Sequence, residues 1–259
     1  MSMSESAQKG SENQGKKDGG FMEALRIIFH ALLLALVVRT LFFQPFNIPS
    51  GSMIPSLLIG DYLFVSKYTY GYSHHSVPFS PPVFSGRIWA DEPKRGDVAV
   101  FKLPSDGSSD YIKRVIGVPG DTVQMVGGVL FLNDKPVKRE QVDDFVAQDS
   151  FGRAQKALQY RETLPDGGPS YMTLDLDPQS FADNTKKFTV PADHYFMMGD
   201  NRDNSSDSRF SSGVGFVPFE NFVGKARIIF FSIEGDARFW EFWKWPTSIR
   251  WDRLMITVE

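Results

Sequence analysis

At 259 residues the chain is long enough for one or two domains with a substantial hydrophobic core. Hydrophobic residues at 42% and charged residues at 23%, with a negative mean hydropathy, exclude a collagen, a largely disordered chain and a polytopic membrane protein. A net charge of −3 argues against nucleic acid as an obligate partner, and the absence of cysteine excludes disulfides, thiolate metal sites and a cysteine nucleophile.

Residues 1–20 are Ser, Gly, Lys, Gln and Glu with almost nothing apolar, which predicts a disordered polar tail. The composition then reverses. Residues 21–46 read FMEALRIIFHALLLALVVRTLFFQPF, purely apolar from Ile27 to Val38 except for His30. About 20 apolar residues suffice to span a bilayer, so one N-terminal transmembrane helix is expected, with Arg39 reaching toward one interface and His30 near the other. A cleaved secretory signal would end on small residues, and Leu41-Phe-Phe-Gln-Pro-Phe46 offers none. Lys9, Lys16, Lys17 and Arg26 favour a cytoplasmic N-terminus with the rest of the chain beyond the membrane, a vote tempered by Glu5, Glu12 and Asp18.

After the anchor the pattern is mainly β. Short β-branched or aromatic runs at Asp61–Lys67, Asp97–Lys102, Tyr111–Gly117 and Thr122–Val126 are bounded by Gly, Pro and Asp. Gly128–Val137 predicts two strands about an Asn133-Asp134 turn, and further strands are expected at Phe188–Val190, Tyr195–Met198 and Ala226–Ile233. The proline-rich interval Tyr68–Gly96 reads as loop, and a short helix is a candidate around Arg153–Arg161. Residues 134–187 are polar and weakly patterned, as in a subdomain inserted into a β core. Phe239–Trp251 gathers Trp240, Trp243, Trp245 and Trp251, which suits either a membrane interface or packing on the domain.

Chemistry is narrowed by elimination. His30, His74, His75 and His194 form no HExxH motif, no glycine-rich nucleotide loop is present, and no GxSxG elbow supports a triad through His194. Three segments remain. In Ile48-Pro-Ser-Gly-Ser-Met-Ile-Pro-Ser-Leu57, glycine between two serines could expose a hydroxyl and aim nearby donors at an oxyanion, though a juxtamembrane linker has the same composition. In Tyr111-Ile-Lys-Arg-Val-Ile-Gly-Val-Pro-Gly-Asp121, alternation puts Ile112, Arg114 and Ile116 on one face and Lys113 and Val115 on the other. A desolvated Lys113 could act as a neutral base; a solvated strand lysine would do nothing. Met198-Gly-Asp-Asn-Arg-Asp-Asn-Ser-Ser-Asp-Ser-Arg209 is dense in Asx, Ser and Arg, favouring rigid turns and internal ion pairs, and it lacks the spacing of an EF-hand.

In this order (anchor, PSGSMIPSL, GDVAVFK, YIKRVIGVPGD, GDNRDNSSDSR) the chain resembles the bacterial type I signal peptidases, or leader peptidases, over residues 25 to 232. The resemblance implies a mainly β fold: an antiparallel catalytic domain over 47–259 with an inserted β subdomain at 120–195, behind a tail at 1–20 and an anchor at 21–46. It implies a membrane-anchored serine endopeptidase that removes signal peptides from secretory preproteins, with the catalytic domain periplasmic. Ser52 is then the nucleophile, Lys113 the general base and Ser50 an oxyanion-hole donor, with Ser205, Asp207, Arg209 and Asp200 in support. No metal or organic cofactor is implied; the partners are preproteins and the lipid bilayer, and the secretion machinery is a further candidate. A self-cleaving Ser–Lys regulator and a non-catalytic anchored β domain are the alternatives. After Arg209 the chain reads Phe-Ser-Ser-Gly-Val-Gly-Phe216, where the family usually continues aromatic-Trp-Gly.

Overall fold

The computed structural model describes residues 5–77, 80–81, 84–148, 154–235 and 241–258, and falls into two units, residues 1–42 and residues 43–259. The first is helix α1 (Glu5–Leu41). Its portion Gly20–Leu41, 22 residues, is long and apolar enough to cross a membrane, and none of it is buried. Residues 5–20, expected to be disordered, continue this helix. Extending a formed helix costs far less than nucleating one, and Ala, Gln, Glu and Lys are good helix formers. The helix stops five residues short of Phe46. Pro45 cannot donate a helical hydrogen bond and pushes Gln44 toward extended backbone, so Phe43–Asn47 forms strand β1 instead.

Unit two is a β structure. The remaining strands are β2 (Asp61–Ser66), β3 (Val98–Lys102), β4 (Asp110–Gly117), β5 (Thr122–Val126), β6 (Val129–Leu132), β7 (Lys135–Pro136), β8 (Lys138–Gln141), β9 (Phe145–Gln148), β10 (Ala154–Thr163), β11 (Ser170–Asp175), β12 (Phe188–Thr189), β13 (His194–Met198), β14 (Val217–Pro218), β15 (Phe222–Ser232) and β16 (Ile256–Thr257). The main sheet has the order β1-β2-β15-β3-β4-β13-β14, with β16 added beside β15, and its registered pairs are antiparallel. Strand β3 shows why it forms a core: Val98 and Val100 join one apolar cluster with Met53, Leu57 and Leu63, while Ala99 and Phe101 join another with Val115, Tyr195 and Phe222. Both faces are covered, so the strand reads as a continuous apolar run.

Two smaller sheets, β12-β5-β6-β7 and β11-β10-β8 with β9 beside β10, lie between β4 and β13 in the chain. The expected hairpin turn is present, with Asn133 and Asp134 both at positive φ (54° and 63°), as a two-residue turn requires. The candidate helix near 153–161 is instead strand β10, paired on both sides, with Arg153 outside the described residues. At the C-terminus, Trp245 packs its ring 5.3 Å from Phe231, as expected for packing on the domain, while Trp243 and Trp251 are exposed; Trp240 lies outside the described residues.

Candidate active site

The segment joining β1 to β2 carries Ser52. Its ends are closed by backbone bonds from Ile48 N to Asp61 O (2.8 Å) and from Gly60 N to Ile48 O (3.0 Å). Within it Gly51–Met53 forms one 3-10 turn, and the fully buried Met53 and Leu57 pin the loop to the core beside Val98 and Val100. Ser52 is thus held on a buried turn at the end of β1, 8% exposed. The Ser50 hydroxyl stands 3.5 Å from the Ser52 hydroxyl.

Strand β4 brings Lys113 to this turn. Its Nζ lies 2.7 Å from Ser52 Oγ and 3.1 Å from the Ile112 carbonyl, 61 residues separating the two side chains in the chain. Only 4% of Lys113 is exposed. Burial disfavours the ammonium and pulls its pKa down to about 8, against the opposing pull of Asp207 and Asp200; Arg209 adds to the lowering. Near neutral pH a sizeable fraction of this amine can therefore be unprotonated, unlike an ordinary lysine near 10.4.

The 198–209 segment braces both groups. Asn201 donates from its backbone N to Ser52 O and from Nδ2 to Gly51 O, each at 3.1 Å. A Cβ on Gly199 would lie 2.3 Å from Ser205 Oγ and 2.5 Å from Ser52 O, so only glycine permits this approach. Ser205 Oγ is buried there without a hydrogen bond of good geometry, yet close enough to Asp207 to favour the carboxylate. Arg209 grips Asp207 through Nε and Nη2 (both 2.9 Å), and Asp207 accepts the Gly199 N–H at 3.0 Å. The expected ion pairing internal to the segment holds for this pair only. Asp200 reaches out to Arg114 on β4 in a fully buried bidentate pair (2.8 and 2.7 Å), and Arg202 pairs with Glu162 on β10 (2.9 and 2.6 Å). Adjacent residues of β4 thus serve different ends: Lys113 meets the serine, and Arg114 locks the segment that supports it.

A cleft of about 530 Å³ opens beside the two reactive atoms; Ile48, Val100, Tyr111 and Ile112 line it together with Ser52 and Lys113, and Asn47, Asp110, Asn204 and Ser206 add polar groups to its walls. A mixed lining with a hydroxyl and an amine at one point suits a peptide whose reacting bond lies at Ser52. The chemistry available is acyl transfer: a hydroxyl nucleophile, a neutral amine within proton-transfer reach, and a neighbouring hydroxyl able to donate to an oxyanion. His194 contacts the Ala192 carbonyl (2.8 Å), and no hydrogen bond joins it to Ser52 among the described residues.

Asn201, Glu162 and the role of Arg114 escape sequence reasoning. A signal existed for Arg114, because a charged residue in a run that otherwise buries as core demands an acidic partner. None existed for Glu162, which sits in a polar segment without periodicity.

The family model described as "Signal peptidase, peptidase S26" matches residues 21–231. Signal peptidase I of Rickettsia typhi is 46% identical over 209 residues, 78% of this chain and 76% of its own length. That of Rickettsia conorii is 45% identical over 211 residues with the same coverage of both chains. A solved signal peptidase I from Enterococcus faecalis aligns at 25% identity over 52% of this chain and 97% of its own, with a TM-score of 0.31.

Proposed function

The chain belongs to the signal peptidase family, peptidase S26, and from that membership we propose that Ser52 and Lys113 are the nucleophile and base with which it cuts its substrates. Members of this family that the chain matches are signal peptidases I, so the protein is a serine endopeptidase that removes signal peptides from preproteins, working at a membrane to which α1 anchors it. The 2.7 Å contact between Ser52 Oγ and a buried Lys113 Nζ carries the residue assignment.

Neutral Lys113 accepts the Ser52 proton as Oγ attacks the scissile carbonyl carbon, and the Ser50 hydroxyl together with the Ser52 amide takes the oxyanion. The lysinium then returns the proton to the leaving amine as the C–N bond breaks, and the freed amine activates water to release the acyl group from Ser52. Asp200, Ser205, Asp207 and Arg209 hold the base and the nucleophile loop in place. We read residues 120–195 as a subdomain inserted into the peptidase domain, and no metal or organic cofactor enters the scheme. Anchoring enzyme and signal segment in one bilayer raises their effective concentration.

The purified full chain in detergent should cut a preprotein once, at the end of its signal segment, with the new N-terminus read by mass spectrometry; an intact preprotein would overturn the reading. Because the base is the unprotonated amine, activity should climb as pH rises through about 8, the pKa of Lys113. A profile still rising steeply near pH 10 would show Lys113 to be solvated.

We propose that the N-terminus is cytoplasmic and the catalytic domain outside, a reading that Lys9, Lys16, Lys17 and Arg26 ahead of the apolar segment support, with the secretion machinery as a neighbour. Protease added to spheroplasts should digest the catalytic domain without breaking the cells. Protection until lysis would reverse this orientation.

A further inference from the structure

The sequence resemblance gives the C-terminal segment after β15 no role, yet that segment turns back onto the loop that carries Ser52. Ile233 bridges to Ile249, Glu234 N bonds Ser248 O (2.8 Å), Arg250 N bonds Ser232 O (3.1 Å), and β16 pairs with β15 at Ile228 and Ile229. This return delivers two arginines to Asp61, the residue that closes the nucleophile loop. Asp61 is completely buried. Its Oδ1 accepts from Ser232 Oγ (2.6 Å) and Arg253 Nε (3.2 Å), and its Oδ2 from Leu58 N (2.8 Å) and Arg253 Nη2 (2.6 Å).

Arg253 Nη2 also donates to the Ser56 carbonyl at 3.1 Å. The Ser56 hydroxyl in turn accepts from Arg114 Nη2 at 3.3 Å. Ser56 is therefore held from two sides, by the arginine next to the base and by the arginine of the C-terminal segment. Arg250 adds a bond to the Ile59 carbonyl (3.0 Å), leaving its own guanidinium 3.9 Å from Asp61. The loop from Ile48 to Asp61 is consequently fastened at its ends by its own backbone, near Ser52 by Asn201, and from Ser56 to Ile59 by the C-terminal segment.

We propose that Arg253 is a positioning residue for the peptidase reaction: by gripping Asp61 and the Ser56 carbonyl together it fixes the nucleophile loop at the distance from Lys113 that proton transfer needs. The inference rests on the Ser52–Lys113 reading. Proton transfer across 2.7 Å has little tolerance, and a misplacement of about 1 Å can cost about 100-fold in rate. Arg253 touches neither reacting atom, so its loss should leave the cleft and substrate affinity alone while loosening the serine from the base and letting water reach the lysine.

In the full chain in detergent, Arg253→Ala should lower kcat on a preprotein about 10- to 100-fold, leave KM within about twofold, and move the pH profile to higher pH. Unchanged kcat and profile, or a loss confined to KM, would overturn the inference. Should Arg253→Ala show no cooperative melt, Arg253→Lys decides: it keeps a charge beside Asp61 but lacks the planar fork that reaches Ser56 as well. It should show the same split, and wild-type kcat in this variant would overturn the inference. Wild type and Ser52→Ala run in the same assay separate the two readings. An inactive wild type sinks the peptidase reading, whereas an active wild type, an inert Ser52→Ala and neutral Arg253 variants sink only this one.

Discussion

Ser52→Ala and Lys113→Ala should each slow preprotein cleavage by about 10⁴-fold or more, and the double variant should be no worse than the poorer single one. The two side chains act as one unit: without the hydroxyl the amine has no proton to take, and without the amine the hydroxyl is a weak nucleophile near its ordinary pKa. Lys113→Arg is the sharper control. Arginine keeps the positive charge but cannot lose its proton in this range, so it should be as inactive as alanine. Residual activity would come from oxyanion stabilisation and binding alone. Initial rates on one preprotein, with circular dichroism to confirm folding, check the set; near wild-type cutting by either alanine variant would remove the dyad assignment.

The second large effect concerns stability. Asp200→Ala should destabilise the β domain by about 3–5 kcal/mol, because it removes the carboxylate from an Arg114 guanidinium whose side chain is fully buried. For a domain of this size that lowers the melting temperature on the order of 10 °C. Arg114 keeps the Gly96 carbonyl, the Ser56 hydroxyl and the face of Tyr171 at 4.2 Å, none of which carries a full negative charge. Replacing both partners by apolar residues, as in Arg114→Met with Asp200→Leu, should recover much of the melting temperature, since the buried pair repays its desolvation only in part. Activity should not recover with it, because the double variant no longer ties the 198–209 segment to β4. Differential scanning calorimetry of the three proteins separates the two contributions. An Asp200→Ala protein that melts with wild type would show that the pair contributes nothing.

Much of this architecture was legible from residue pattern. The strands around Asp61–Lys67, Asp97–Lys102 and Tyr111–Gly117 stood out because β-branched runs there are bounded by turn residues, and the Asn133-Asp134 turn because few other pairs accept positive φ twice. Strand β1 was hidden by its neighbour: Phe42, Phe43 and Phe46 extend the apolar count of the anchor, and only Pro45 marks the change. Strands β8 to β11 were hidden for the opposite reason, since Lys138–Gln141 reads KREQ and is largely exposed, and β10 reads AQKALQYRET, mostly polar and without clean alternation. Within the site, elimination of histidine and cysteine chemistry leaves the serines of PSGS and Lys113 as candidates, and it is the resemblance to the signal peptidases that singles out Ser52 and Lys113. The distance between them could not be read from the chain, since it depends on how β1, β4 and the 198–209 segment converge. Likewise the sequence pointed to ion pairs inside GDNRDNSSDSR, and it was burial that directed Asp200 to Arg114 and Arg202 to Glu162.

The adjacency of Lys113 and Arg114 has a consequence for how this enzyme can fail. Lys113 stands opposite Ala99 and Arg114 opposite Val98, and their side chains leave β4 in different directions. A slip of one residue between β3 and β4 would put either Arg114 and Val115, or Ile112 and Lys113, in the places of Lys113 and Arg114. Either slip takes the lysine from Ser52 and the arginine fork from Asp200 together. No half-working misfold is therefore available: molecules are in register and competent, or out of register and both inert and unstable. Specific activity in a preparation then counts correctly folded molecules, which makes peptide cleavage a titration of strand registry.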